Sequence, residues 1–389
     1  MEKAELQASL SLASIFALRM LGLFLILPVF SVHAKTISTA DQLALVGLAL
    51  GVYGLVQACL HIPLGMLSDR WGRRPIVLLG LVLFVLGALI AAHRDDLVWI
   101  TVGRAIQGAG AVSAVVTAWL ADLTRDEVRS RAMAMIGGSI GLTFALSLVF
   151  AAPLYAWLGL DGLFYLMAFL GLIAIGVAAF VVPTTPQINK SQSSMSFLAV
   201  LVHPALLRLN LGVLILHMTQ MALFLTLPRK LSEMGWSLAD HWQIYLPALL
   251  ISFLLMMPLI IWSERRKRFK PAFILAILCM LVAQSAMAII ASTVGVWVAV
   301  VVYFVGFNVM EAMQPSLVSR YVPSARGTAL GIYNTTQSIG LFLGGVLGGV
   351  IMQKAGESWV FLTCAVFMVV WLIINASMRE LSAQHQTVN

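Results

Sequence analysis

Apolar residues do not alternate with polar ones along this chain. They come in nearly unbroken runs of about twenty, separated by short polar connectors. A run of that length lets an α-helix cross a hydrocarbon layer about 30 Å thick at about 1.5 Å per residue. The short alternating segments of a membrane β-barrel are not seen. The pattern predicts twelve spans, at roughly 10–33, 43–67, 75–92, 97–122, 131–157, 162–183, 207–230, 239–262, 271–291, 295–319, 327–352 and 358–377. The longest connector, 184–206, is Ser-rich and central. It reads as a cytoplasmic linker between two six-helix halves, 1–183 and 207–389. The expected fold class is an all-α polytopic membrane protein with twelve transmembrane helices in two pseudo-symmetric halves.

Composition agrees: 61% of the 389 residues are hydrophobic and 10% are charged, against about half and a quarter in soluble domains. The net charge of +8 reflects topology, and no nucleic acid is expected as a partner. With a cytoplasmic N-terminus, seventeen Lys and Arg residues fall on the cytoplasmic side. Five fall on the other: Lys35, Arg94, Arg229, Lys230 and Lys354. That asymmetry predicts that both termini are cytoplasmic. Trp99, Trp236, Trp242, Trp297 and Trp359 lie near expected outer span ends, as an interfacial belt would. The first run follows Glu2 and Glu5 and is longer than a signal-peptide core, so it is expected to be retained. Cys59, Cys279 and Cys364 sit in apolar runs without disulfide or metal spacing.

A weak internal repeat supports the two halves. LSDRWGRR (67–74) follows span 2 and WSERRKRF (262–269) follows span 8, at an offset of 195. RAMA (131–134) opens span 5 and RGTA (326–329) opens span 11 at the same offset. Parallel repeats of this kind describe transporters with a substrate site between the halves.

GMLSDRWGRRPIVL (65–78) lies in the connector between spans 2 and 3, RAIQGAG (104–110) lies in span 4, and Leu27–Pro28 lies late in span 1. On these motifs the whole chain resembles the major facilitator superfamily. LRMLGLFLILPV (18–29), ADLTRDEVRSRAMA (121–134) and FNVMEAMQPSL (307–317) are similar to its proton-driven drug-efflux branch, and within it to the YajR-type transporters. Those carry a soluble C-terminal domain, whereas this chain stops about a dozen residues after its last span. The antiporter signature of span 5 is degenerate, with Ala152 before Pro153. The resemblance implies a monomeric, multi-pass secondary transporter of a bacterial inner membrane. It would export a small amphipathic solute or drug in exchange for protons, with lipid, protons and substrate as partners. A proton symporter importing a metabolite and a non-transporting receptor are the alternatives. No nucleophile, metal set or Walker loop is present, so neither an enzyme nor a cofactor is expected.

The resemblance also implies a conformational latch made of Gly65, Asp69, Arg70, Gly72, Arg73, Arg74 and Asp122. Asp69 would meet the positive N-terminal end of span 11, and Arg73 would reach Asp122. Gly65 and Gly72 would permit close approach and a tight turn. A solvated loop that only sets topology is the simpler alternative. Gly47, Gly51, Gly54 and Ala58 in span 2, and Gly340, Gly344 and Gly348 in span 11, form small-residue stripes. These either slide between the halves or pack helices within one half.

Glu311 is the one acid expected deep within a span, and a carboxylate there marks an ion pathway by default. It is the candidate proton-coupling residue, with His217 and Arg104 as further candidates. A nearby basic group, Arg19 or His217, or a bound substrate would shift its proton balance between states. A permanently protonated Glu311, a hydrogen-bonded core His217 and a snorkelling Arg104 are the structural alternatives. Arg19, Tyr53, Gln57, Gln107, Asn308, Asn334 and Gln337 are the polar span residues expected to line a substrate cavity. With Arg19 and Arg104 inside and no acid in span 1, a neutral, zwitterionic or weakly anionic substrate is expected.

Overall fold

The computed structural model describes residues 1–93, 96–183, 196–266, 268–322 and 325–376. Arg94, Lys190, Lys267, Arg379 and the first half of the expected connector lie outside the described residues. The helices are α1 (Lys3–Ile37), α2 (Leu43–Trp71), α3 (Arg73–Ala92), α4 (Leu97–Ala109), α5 (Ser113–Asp122), α6 (Asp126–Gly176), α7 (Phe197–Leu201), α8 (Pro204–Glu233), α9 (Trp242–Arg266), α10 (Phe269–Ile289), α11 (Thr293–Tyr321), α12 (Arg326–Ala355) and α13 (Glu357–Ala376).

Among the described residues, eleven helical segments are long and apolar enough to cross a membrane. One, Arg131–Val181, is 51 residues long, about 75 Å as a straight helix and more than twice the hydrocarbon thickness. It turns at Gly159, whose φ of 70° is a left-handed conformation that suits glycine. The segment therefore makes two crossings, spans 5 and 6, and the described residues make twelve.

Two local differences from the sequence pattern have clear causes. Span 4 is not continuous: α4 ends at Ala109 and α5 begins at Ser113. The break faces Gly80 of α3, where an added Cβ would lie 2.1 Å from Val112 Cγ1, and a Cβ on Gly110 would lie 2.4 Å from the Gly80 carbonyl oxygen. Close packing of backbones fits these glycines to the gap. The expected connector, in turn, is helical at 197–201, where the apolar FLAVL follows Ser196, whose Oγ accepts from Ala199 N at 3.3 Å. Pro204 then opens α8 as a first-turn proline.

The chain forms two compact units, Met1–Gln192 and Ser193–Asn389. In the first, α1 lies along α6, α3 packs on α4 and α6, and α2 packs on α4. In the second, α8 lies along α12, α10 packs on α11 and α13, and α9 packs on α11. The second set repeats the first, helix for helix, so the weak sequence repeat reflects a repeated packing plan.

Lipid is as apolar as leucine, so close packing holds such helices together, not exclusion of water. In the first unit Trp119, Val77, Leu81 and Leu12 are fully enclosed in one cluster. In the second, Gly340 and Gly344 bring α12 against the backbone of α8, with a Cβ on Gly344 falling 2.2 Å from the Met218 carbonyl oxygen. The span 11 stripe therefore packs helices within its own half. Gly47, Gly51 and Gly54 are buried.

Candidate functional site

Glu311, His217 and Gln337 come from three helices of the second unit, α11, α8 and α12. Each is well inside its helix. Glu311 precedes the end of α11 by ten residues, about 15 Å along the axis. His217 Nδ1 lies 3.2 Å from the Val213 carbonyl oxygen one turn earlier. A carbonyl only accepts, so Nδ1 carries a proton and donates it. The other ring nitrogen, Nε2, is shared: Gln337 Nε2 is 2.6 Å away and Glu311 Oε2 is 3.5 Å away. His217 is 6% exposed and Glu311 39%, so an enclosed imidazole meets a carboxyl group with one side open. Phe307 meets the His217 ring edge-on at 5.9 Å and stacks on Tyr303 at 6.1 Å.

A ring with Nδ1 protonated has a lone pair at Nε2 when neutral, which accepts from the Gln337 amide. When Nε2 also carries a proton, it donates to the Glu311 carboxylate in a charge-assisted bond. The geometry holds one ring atom between two partners, each suited to one protonation state.

The first unit gathers a different cluster. Arg19 of α1 donates from Nη2 to the Tyr53 hydroxyl and from Nη1 to Ser113 Oγ at 2.9 Å. Arg104 of α4 donates to Gln107 Oε1 at 3.2 Å. The two guanidinium carbons lie 5.9 and 5.0 Å from the centre of the Tyr53 ring. Gln57 is buried on the same helix as Tyr53, and Gln107 is fully enclosed. Arg19 and Arg104 are 1% and 2% exposed, and no carboxylate among the described residues pairs with either. A buried cation without a countercharge costs several kcal/mol, and a desolvated cation–π contact returns about 2 kcal/mol.

The remaining candidates are placed as follows. Asn308 donates to Ser252 Oγ at 2.9 Å, joining α11 to α9, which is a packing contact. Asn334 is half-buried on α12. At the span 2–3 connector, Arg73 reaches Asp69 at 2.8 Å, Asp122 at 2.9 Å and Ser68 Oγ at 2.7 Å. It thus ties together the end of α2, the start of α3 and the end of α5. Arg74 donates to the Val182 carbonyl at 2.5 Å and covers the Trp119 ring. Arg70 is exposed. Gly72 has a φ of 93° and makes the turn between helices. Gly65 differs from expectation: a Cβ there would meet nothing within 4 Å, so it serves no close approach. The second unit carries a comparable tie, Glu264 to Arg320 at 2.9 Å, with Glu264 at the repeat position of Asp69.

Sequence reasoning missed one linked pair. Glu5, taken in sequence only as an acid ahead of the first apolar run, is enclosed in the first turn of α1, where it accepts from the guanidinium of Arg125 at 2.8 Å and from the Glu2 N–H at 2.7 Å. The signal that could have found it is an acid one turn before the first apolar run, paired with a basic residue in the connector after span 4.

Comparison with known proteins agrees with this architecture. The Major Facilitator Superfamily profile matches residues 12–345 and 312–386. The inner membrane transport protein YajR of Escherichia coli K12 is 40% identical over 388 residues, covering 98% of this chain and 85% of that protein. The multidrug resistance protein MdtH of Yersinia enterocolitica is 26% identical over 356 residues, covering 88% of this chain and 83% of that protein. Two solved structures share the fold at low identity. The human organic anion transporter MFSD10 superposes with a TM-score of 0.72 at 18% identity, over 96% of this chain and 100% of that one. A bacterial homologue of the human lysosomal transporter Spinster, inward-facing and occupied, superposes with a TM-score of 0.77 at 17% identity, over 96% and 97%. With twelve spans in two repeated six-helix units and a family match along most of its length, the chain belongs to the major facilitator superfamily.

Proposed function

We propose that this chain is a proton-coupled exporter of a small amphipathic organic solute in a bacterial inner membrane, with both termini cytoplasmic. The observation that carries the reading is the Glu311–His217–Gln337 arrangement. A carboxyl group, an imidazole of fixed tautomer and an amide meet at one ring nitrogen inside membrane helices. Ionisable groups at such depth are costly and mark ion pathways. Glu311 takes and releases the transported proton, and His217 changes partner as it does so. The relatives named as transport and multidrug resistance proteins support export of an organic solute. The Arg73 tie, together with Asp69, serves as the cytoplasmic latch that is broken and remade in each cycle.

The test uses everted vesicles with an imposed pH gradient and a panel of amphipathic drugs. Glu311→Gln keeps the side-chain shape and cannot release a proton. It should insert and bind normally while losing at least about tenfold in gradient-driven flux, or about 1.4 kcal/mol of coupling. Gradient-driven flux equal to wild type, with an unchanged pH profile, makes Glu311 a packing residue and removes the reading.

A further inference from the structure

The first unit encloses two positive charges with which no carboxylate among the described residues pairs. Arg19 and Arg104 are almost completely enclosed and converge on one tyrosine ring. Their hydrogen-bond partners are Ser113, Tyr53 and Gln107, which are dipoles and carry no countercharge. The Nε atoms of both guanidiniums are enclosed and have no acceptor at all. An enclosed N–H of a charged group is rarely left unpaired in a finished site. The Arg73, Arg125, Arg229 and Arg320 guanidiniums of the same chain all reach carboxylates. The enclosed Arg19 and Arg104 reach none among the described residues.

We propose that Arg19, Arg104 and Tyr53 form the seat for the acidic group of an organic anion, a carboxylate, that this chain transports. That the acid is transported rests on the functional reading above; the anion seat stands on the geometry alone. Guanidinium is the side chain suited to this task. It stays charged when enclosed, and its planar fork of donors matches the two oxygens of a carboxylate. The unsatisfied Nε donors supply the missing contacts. The Tyr53 ring, flanked by both cations, supplies an aromatic wall for the apolar body attached to the acid. An incoming carboxylate would both satisfy the orphaned donors and cancel positive charge held in a low dielectric. A cationic drug would meet repulsion at the same place.

The test needs neither a membrane nor a gradient. Purified full-length protein in detergent is unfolded thermally at fixed ionic strength, with sodium benzoate, benzamide, sodium chloride or sodium phosphate titrated in. A ligand that binds only the folded state raises the midpoint with concentration. The expected result is a rise with benzoate, none with uncharged benzamide, and loss of the benzoate rise in Arg19→Gln and Arg104→Gln. Where either glutamine variant fails to run as a single folded species, Arg104→Lys replaces it. It keeps the charge without the fork, and should keep a reduced rise. Equal rises with chloride, phosphate and benzoate overturn the assignment to a transported acid, leaving a seat for a free inorganic ion. No anion-dependent rise in the wild type, or an equal rise with benzamide, overturns the seat itself. Glu311→Gln protein that lacks proton-driven flux but keeps the benzoate rise separates the two proposals: each can fail without the other.

Discussion

The Gln337 amide nitrogen lies 2.6 Å from His217 Nε2, closer than the Glu311 carboxylate that faces the same ring atom at 3.5 Å. The imidazole is thus engaged with a neutral partner while its charged partner stands within reach. In Gln337→Leu the neutral ring loses its acceptor role and the charged ring keeps Glu311. A lost hydrogen bond of this kind is worth about 0.5–1.5 kcal/mol. The pH of half-maximal flux in everted vesicles should then move upward by up to about one unit. An unchanged pH profile would show that the amide does not compete for the ring.

The Arg73 tie gives a second prediction. Asp122→Asn removes one of two carboxylates on a guanidinium that is 17% exposed. With Asp69 still in place, the cost to unfolding stability should be about 0.5–1 kcal/mol. Asp69→Asn should be nearly neutral for insertion but should strongly slow transport, and cysteines placed at the cytoplasmic mouth should label faster. Full transport in Asp69→Asn protein would end the latch assignment.

A pair of glycines in one helix provides an internal control. Gly344→Ala drives a Cβ into the Met218 carbonyl, whereas a Cβ on Gly331 meets nothing within 4 Å. The first should cost about 1–3 kcal/mol through overpacking. The second should be neutral, or stabilising by up to about 1 kcal/mol through helix propensity. Thermal unfolding of both variants side by side decides it; equal midpoints would mean that α12 does not need its close approach to α8.

Topology is open to a direct check. A reporter active only outside the cytoplasm should be silent when fused after Asn389 and active when placed in the 231–240 turn. The reverse would invert the side assigned to each polar end, including the Arg73 tie.

The spans were legible because lipid demands long apolar runs whatever the tertiary structure, and α3, α10 and α13 follow their runs within a few residues. The division of span 4 was not legible. It depends on Gly80 of another helix meeting Gly110 and Val112, a contact with no local signature. Glu311 stood out as a lone deep acid, but its partner did not. Arg19 and His217 were both basic candidates in sequence, and only folding puts His217 beside Glu311 and Arg19 against Tyr53. Gln337 was one polar residue among several until α12 packed on α8. The stripe Gly340–Gly344–Gly348 was visible as a stripe, yet small residues four apart do not name the helix they will meet.

That stripe has a mechanical consequence. Gly340 sits against the Leu214 carbonyl and Gly344 against the Met218 carbonyl, so backbone meets backbone within two turns of the His217–Gln337 contact. Two helices meshed in this way cannot slip by a turn without a clash, and they hold the ring and its amide like the fixed jaw of a vice. Glu311 rides on α11, which packs chiefly on α9 and α10. On the proton-coupled reading proposed above, the carboxyl group is the moving jaw, and a small displacement of one helix would decide which partner holds the proton.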